Sequence, residues 1–266
     1  YGASILWLAQ QCRLPAVISV HNAFPPEPFS AWQQPLLQEA FRSVKGVYAV
    51  SASAMKHFLD LYRGMLAPQT RLAVIPNGVD TDTFTVSPER KALARKQLGL
   101  PPDALVIGSV ARLSAQKRPL ALLALFARLA PQFPNLYLVL VGTGPLEGRL
   151  RLQAQQSGWQ DRIVFAGFRQ RVELLMPAFD LHLLLSKNEG FGIATIEAMA
   201  CGVPAVGTDV PGTHDILHDS EGGLLLPPGD GDAACQAVAD LLRDPARRQR
   251  MGRQARLEAQ QHYSMQ

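Results

Sequence analysis

The order of residues predicts an α/β protein built on parallel, doubly wound sheets, arranged as two Rossmann-like domains of which the first is incomplete. Three observations predict it. Short apolar runs rich in β-branched residues alternate with helical patterns. A cluster of turn-forming residues, PNGVDTDTF at 76–84, divides these alternations into two series. Glycines and charged residues gather just after the apolar runs, at the ends where open α/β sheets bind ligands.

In the first series, residues 14–20 (LPAVISV) read as a buried strand closed by His21 and Asn22, before a proline-rich loop. A helical pattern covers 32–42 and a strand 46–50, and Ser51 or Ser53 can cap the helix carrying Met55, Phe58 and Leu59. Residues 72–75 form a further strand. Ser87-Pro88-Glu89 is a good helix start, so the domains are expected to span 1–86 and 87–266.

The second series opens with a strand at 105–110, a loop at 111–118 holding Arg112 and Lys117, and a helix from Pro119. A strand at 137–141 then runs into GTGPLEG, which begins like a dinucleotide fingerprint. Gly148 falls one residue late for it, and Pro145 and Glu147 occupy the helix start, where a pyrophosphate needs free amides and no negative charge. An NAD site is therefore rejected. Further strands are read at 163–166 and 181–186, a turn at a strand end at 209–214, a strand and turn at 222–230, an amphipathic helix at 232–242 and a basic helix at 245–261.

The most informative stretch is 188–206, NEGFGIATIEAMACGVPAV. A short helix at 193–201, ended by Gly202 and Pro204, follows the apolar run across a flexible turn. The first amides of a helix lack intrahelical partners and carry the positive end of its dipole, so they face whatever anion fills the turn. Gly190 and Gly192 let that backbone approach closely. Glu189 precedes the turn, and Glu197 lies about one turn inside the helix with its side chain leaning back toward the N-terminus. Carboxylates repel phosphate, so two of them beside a phosphate cradle suit the hydroxyls on either side of it. That combination points to a nucleotide sugar. Without further support, the same residues make an acidic loop and a capping glutamate on an ordinary helix.

Glu189 and Glu197, separated by seven residues within EGFGIATIEAMACGVPAV, resemble the Glu-x7-Glu signature of retaining glycosyltransferases of family four with the GT-B fold. The resemblance implies that Glu189 touches the donor sugar and Glu197 binds ribose. It also implies that the amides of Gly190, Phe191 and Gly192, with the helix start at Ile193, hold the diphosphate. His21 in ISVHN matches a histidine beside donor sugar and acceptor, and Arg112 and Lys117 in ARLSAQKRP match a cation pair that stabilises the departing diphosphate. Gly142 in LVGTGP matches a turn that shapes the nucleotide-sugar cleft. Residues 163–168 correspond to a region near the base, and 76–84 to the interdomain connector. Thr213 and Asp215 depart from the second glycine and the glutamate usual after residue 212, which bears on donor choice.

What the resemblance implies is a metal-independent retaining transfer of a sugar from a nucleoside-diphosphate sugar to an acceptor hydroxyl bound between two domains, with no cofactor. Same-face attack is then expected, the leaving phosphate helping to deprotonate the acceptor. Asp80 and Asp82 match an Asp-x-Asp spacing but lie in the connector. The alternatives are a nucleotide-sugar epimerase or hydrolase of the same fold, or a truncated nucleotide-sugar-binding module.

Bulk properties narrow the setting. The chain has 266 residues, with 26 basic against 22 acidic residues and a net charge of +4, too mild for a nucleic-acid partner. The apolar run near the start is broken by Gln10, Gln11 and Arg13 and is neither a signal peptide nor a membrane span. Three scattered cysteines suggest a reducing, cytoplasmic setting. Arginines 247, 248, 250, 253 and 256 read as a solvated helix face or as a peripheral contact with the inner face of a membrane. Among similar proteins a glycan or lipid-linked acceptor, in polysaccharide or glycolipid synthesis, is the commonest. Both ends look cut, so the chain is expected to be a fragment.

Overall fold

The computed structural model describes residues 2–22 and 33–265; the proline-rich loop and Trp32 of the predicted 32–42 helix lie outside them. The chain separates into two compact units, one of Tyr1–Asn77 with Glu189–Phe191, the other of Gly78–Asn188 with Gly192–Gln266.

In the first unit the elements run α1 (Gly2–Gln11), β1 (Ala16–Val20), α2 (Gln33–Phe41), β2 (Val44–Ala49), α3 (Ala52–Tyr62) and β3 (Arg71–Val74). The strands form a parallel sheet in the order β1-β2-β3. Ser51 caps α3, its Oγ accepting from the Ala54 amide at 3.0 Å. Leu37, Phe41, Val47 and Phe58 form a buried core, with the Tyr62 ring centroid 5.3 Å from Phe41 and 4.9 Å from Phe58.

In the second unit the order is α4 (Pro88–Gln97), β4 (Leu105–Val110), α5 (Pro119–Leu129), β5 (Leu136–Val141), α6 (Glu147–Gln156), β6 (Ile163–Gly167), β7 (Leu181–Leu184), α7 (Ile193–Ala200), β8 (Ala205–Thr208), α8 (Thr213–Leu217), β9 (Gly223–Leu226), α9 (Gly231–Arg243) and α10 (Pro245–His262). Six parallel strands take the order β6-β5-β4-β7-β8-β9. The order reverses between β4 and β7, where a doubly wound sheet opens a crevice at its carboxyl ends.

Each face of this sheet is covered, which is why its strands are mostly apolar, with Ser109, His182 and Thr208 as polar exceptions. Ile107, Leu138, Leu181 and Leu183 pack with Phe126 and Leu129 of α5 and Val238 and Leu242 of α9. Val106 and Val139 pack with Ala94 of α4, Ala198 of α7 and Phe179. Cys201 and Cys235 are buried within these layers. Ser87 caps α4, accepting from the Arg90 amide at 3.2 Å, with Pro88 in the first turn as its sequence predicts.

The two compact units part between Asn77 and Gly78, inside the connector at 76–84, whose later residues pack with the end of the chain. The Val79 amide donates to the Tyr263 carbonyl at 2.7 Å, and the Met265 amide returns to Val79 at 3.2 Å. Arg256 of α10 donates to the carbonyls of Phe84 and Ala200. Turn chemistry marks a connector in sequence; its packing partner is set by residues far along the chain.

Candidate functional site

In the second unit the site begins with the loop between β4 and α5. Two neighbours hold it. The Leu113 amide donates to the Thr143 carbonyl at 3.0 Å, and the Leu146 amide donates back to Leu113 at 3.0 Å. On the other side, the Lys187 amide donates to the Gln116 carbonyl at 2.8 Å, and Gln116 Nε2 donates to the Asn188 carbonyl at 3.1 Å. Arg112 is exposed and Lys117 half-buried on this loop, which is thereby fastened to the two residues preceding Glu189.

Gly142 is explained by that packing. Its φ is 132°, and a Cβ there would fall 2.1 Å from the Ala111 carbonyl oxygen. A Cβ on Gly144 would similarly meet the Leu113 carbonyl at 2.5 Å. The glycine turn therefore admits the cation-bearing loop, and its position among the expected donor contacts is reached through Ala111.

At the carboxyl end of β7, Gly192 takes a left-handed conformation, φ 99° and ψ 60°, and begins α7. No side chain caps this end and no acid occupies its first turn. The helix N-terminus is thus dressed for an anion. Ile193 is exposed here, whereas Phe191 is buried, so Phe191 can offer a ligand only its backbone.

Glu197 stands about one turn into α7, half-buried. Burial, and then the neighbouring charge of Glu173, push its carboxyl up to about 7. Glu173 is itself buried, in a 3-10 turn at Val172–Leu174, and accepts from Arg171 Nε at 2.9 Å. Sequence reasoning missed Glu173, because a single glutamate in an irregular segment carries no periodicity that marks it as inward-facing.

The remaining turn residues belong to the first unit by their contacts. Glu189 is 5% exposed. Ser51 Oγ donates to the Gly190 carbonyl at 2.8 Å, and a Cβ on Gly190 would lie 1.8 Å from the His21 carbonyl oxygen, so this glycine is required sterically. His21 follows β1, exposed, its Nε2 hydrogen-bonded to Ser19 Oγ and its ring 6.3 Å from that of Tyr48.

At the end of β8, Asp215 accepts from the Gly212 amide at 3.1 Å, closing the turn where the usual pattern carries a glutamate. His214 bonds Asp209 at 2.6 Å and stacks on His218, as an exposed surface residue. Asp80 accepts from the Asp82 and Thr83 amides and the Thr83 hydroxyl, which makes it a turn-stabilising group.

The profile of the family glycosyl transferases group 1 matches residues 90–258, and that of glycosyltransferase family 4 matches residues 1–83. The chain is 34% identical over 239 residues to D-inositol 3-phosphate glycosyltransferase of Stackebrandtia nassauensis, covering 85% of this chain and 52% of that protein. It is 30% identical to the GDP-mannose-dependent alpha-(1-6)-phosphatidylinositol monomannoside mannosyltransferase of Mycolicibacterium smegmatis, covering 82% and 59%. Anabaena HepE, solved in complex with UDP and glucose, superposes with a TM-score of 0.84 at 26% identity, over 98% of this chain and 72% of that one. The chain thus spans about half the length of the curated relatives it matches.

Proposed function

The chain belongs to the glycosyl transferases group 1 family, and on that premise we propose that it transfers a sugar, with retention, from a nucleoside-diphosphate sugar to an acceptor hydroxyl in polysaccharide or glycolipid synthesis. The observation that carries this reading is the uncapped α7 N-terminus, opened by left-handed Gly192 and followed one turn later by Glu197, beside a cation-bearing loop fastened to residues 187 and 188.

In this reading the diphosphate rests on the amides from Gly190 to Ile193, and Arg112 and Lys117 stabilise the charge that develops on it as the sugar departs. No metal is needed for that step. Gly142 shapes the cleft by admitting the loop. Glu197 accepts from the ribose hydroxyls, Glu189 from the donor sugar, and His21 positions the sugar and the attacking hydroxyl. The acceptor oxygen bonds the anomeric carbon on the face the diphosphate leaves, and its proton passes to the leaving phosphate.

A glycan or lipid-linked acceptor, used in the cytoplasm at the inner membrane face, fits this chemistry. Among the described residues no helix is long and apolar enough to cross a membrane.

Labelled UDP-, GDP- and ADP-sugars, each incubated with and without acceptor, test the reading. Glycoside should form only with acceptor present and should survive a chelator; Glu189→Ala and Lys117→Ala should each abolish it in folded protein. Free sugar or an epimer as the sole product, or near-normal turnover in both variants, would overturn it.

A further inference from the structure

At the amino-terminal end of the larger sheet, away from the loops of the donor site, Asp180 leads into β7 and Pro204 into β8, and both line a cleft of 620 Å³ between α4 and α10. The charge around this cleft is lopsided. The two helices carry nine lysines and arginines, and the acids on them and on the cleft rim are four: Glu89, Asp180, Asp244 and Glu258. That excess of five exceeds the net +4 of the entire chain, so the rest of the molecule is close to neutral.

The one acid in the wall is already neutralised. Asp180 takes Lys91 Nζ at 2.7 Å, Arg95 Nη2 at 2.9 Å and the Val106 amide at 2.8 Å. Arg248 donates to the Leu241 and Leu242 carbonyls at the end of α9, and Arg256 to the Ala200 carbonyl at the end of α7 and to the Phe84 carbonyl of the connector; those partners carry no net charge. Among the described residues none of Arg248, Arg253 and Arg256 is in salt-bridge range of a carboxylate. Burial holds the Arg248 guanidinium below its ordinary value, with Asp180 and Asp244 pulling the other way. A cation in that condition gains from an incoming anion.

The field extends beyond the cleft. Arg247, Arg250 and Arg253 are exposed along α10, and among the cations stand exposed apolar side chains, Leu93 on α4, Leu257 on α10 and Val86 at the cleft. A broad positive face interleaved with apolar side chains matches the headgroup region of an acidic bilayer better than one compact solute.

We infer that the α4–α10 face is a docking surface for acidic phospholipids, with a headgroup phosphate seated in the cleft against Arg248 and Arg253. This deepens the reading above, by which the protein serves an acceptor at a membrane face, and supplies the contact that keeps it there. The surface lies at the opposite end of its sheet from the α7 N-terminus, so headgroup and donor do not compete.

Co-sedimentation with vesicles of phosphatidylcholine, alone or mixed with phosphatidylglycerol, tests it on the protein and on an Arg250→Gln, Arg253→Gln double variant. Both side chains are exposed and outside the donor machinery, so the fold and the nucleotide-sugar titration should be unchanged. The parent should bind only the phosphatidylglycerol vesicles, more weakly as salt rises, and the variant should partition roughly tenfold less. Equal binding to both vesicle types, or equal binding by parent and variant, would overturn the inference. So would inorganic phosphate binding that the variant loses, without vesicle binding. A normal donor titration with no vesicle binding removes this surface and leaves the transferase reading standing; vesicle binding without any donor binding does the reverse.

Discussion

Glu197 sits beside Glu173, and burial first, then that second carboxylate, push the Glu197 carboxyl up to about 7. The group proposed to hold ribose is therefore divided between its two protonation states near neutrality. A carboxylate accepts from two hydroxyls, whereas a carboxylic acid has given up part of that capacity.

Donor affinity should consequently rise with pH. The diphosphate of a nucleotide sugar is a diester without a titration in this range, so the dependence belongs to the protein. Calorimetry should find binding roughly tenfold weaker about one pH unit below the Glu197 pKa than well above it. Glu173→Gln removes a repelling charge and should move the curve to lower pH, and Glu197→Gln should flatten it. A flat curve in the parent would take Glu197 away from the nucleotide.

His182 is the second perturbed group, and it acts on folding. Between Gly108 of β4 and Ala205 of β8, its imidazole is fully buried with neither nitrogen hydrogen-bonded, and burial pushes it down to about 4. Its folded pKa lies below the ordinary 6.5, so it contributes stability above 6.5 that is lost as pH falls toward 4. Glu197 is opposite: its folded pKa is raised from 4.5, so its contribution is full below 4.5 and lost as pH rises through about 7. Where these windows overlap, from 4.5 to 6.5, the two slopes offset. His182→Leu, of similar volume, should gain about 1–3 kcal/mol by removing unpaired buried nitrogens. It should also uncover the Glu197 slope, with urea midpoints falling as pH rises from about 5 to 7. A variant less stable than the parent at every pH would show that the imidazole has a partner.

Arg118 begins α5 at φ 49° and ψ 46°, a left-handed conformation that disfavours a Cβ. Pro119 keeps it out of the right-handed helical region. Arg118→Gly should therefore be more stable than Arg118→Ala by about 1 kcal/mol, because both lose the side chain and only glycine loses the strain. Thermal melts of the pair decide it; equal midpoints would mean the loop adjusts freely.

Much of this arrangement is legible in sequence where local chemistry and burial agree. Residues 105–110, LVIGSV, form a mostly apolar run and become β4 at those bounds, and Ser87-Pro88 starts α4 because cap and proline need no tertiary help. The turn after β7 is readable because glycine permissiveness, helix polarity and paired acids coincide. What escapes is what depends on distant partners. Glu173 matters through α7, and the connector joins the second unit through Arg256 and Tyr263. The helix at Gly2–Gln11 has no acid in its first turn to announce it. The conformation of Gly142 likewise answers to Ala111, a partner far upstream that its own neighbourhood in sequence does not announce.

That last contact separates support from touch. At φ 132°, with a Cβ position 2.1 Å from the Ala111 carbonyl, Gly142→Ala must both strain the backbone and displace the loop that carries Arg112. The strain alone is roughly 1–3 kcal/mol, and the shifted loop should weaken donor binding as well. Gly148→Ala is the control: it lies in α6 with open space around its Cβ position and no left-handed φ, so it should stabilise by up to about 1 kcal/mol and leave donor binding unchanged. Melting curves and donor titrations on both variants measure the two effects separately. If Gly142→Ala lowers the melting temperature but keeps full donor affinity, the loop between β4 and α5 is not held in its binding geometry by this turn, and Arg112 must be positioned from the Gln116 side instead.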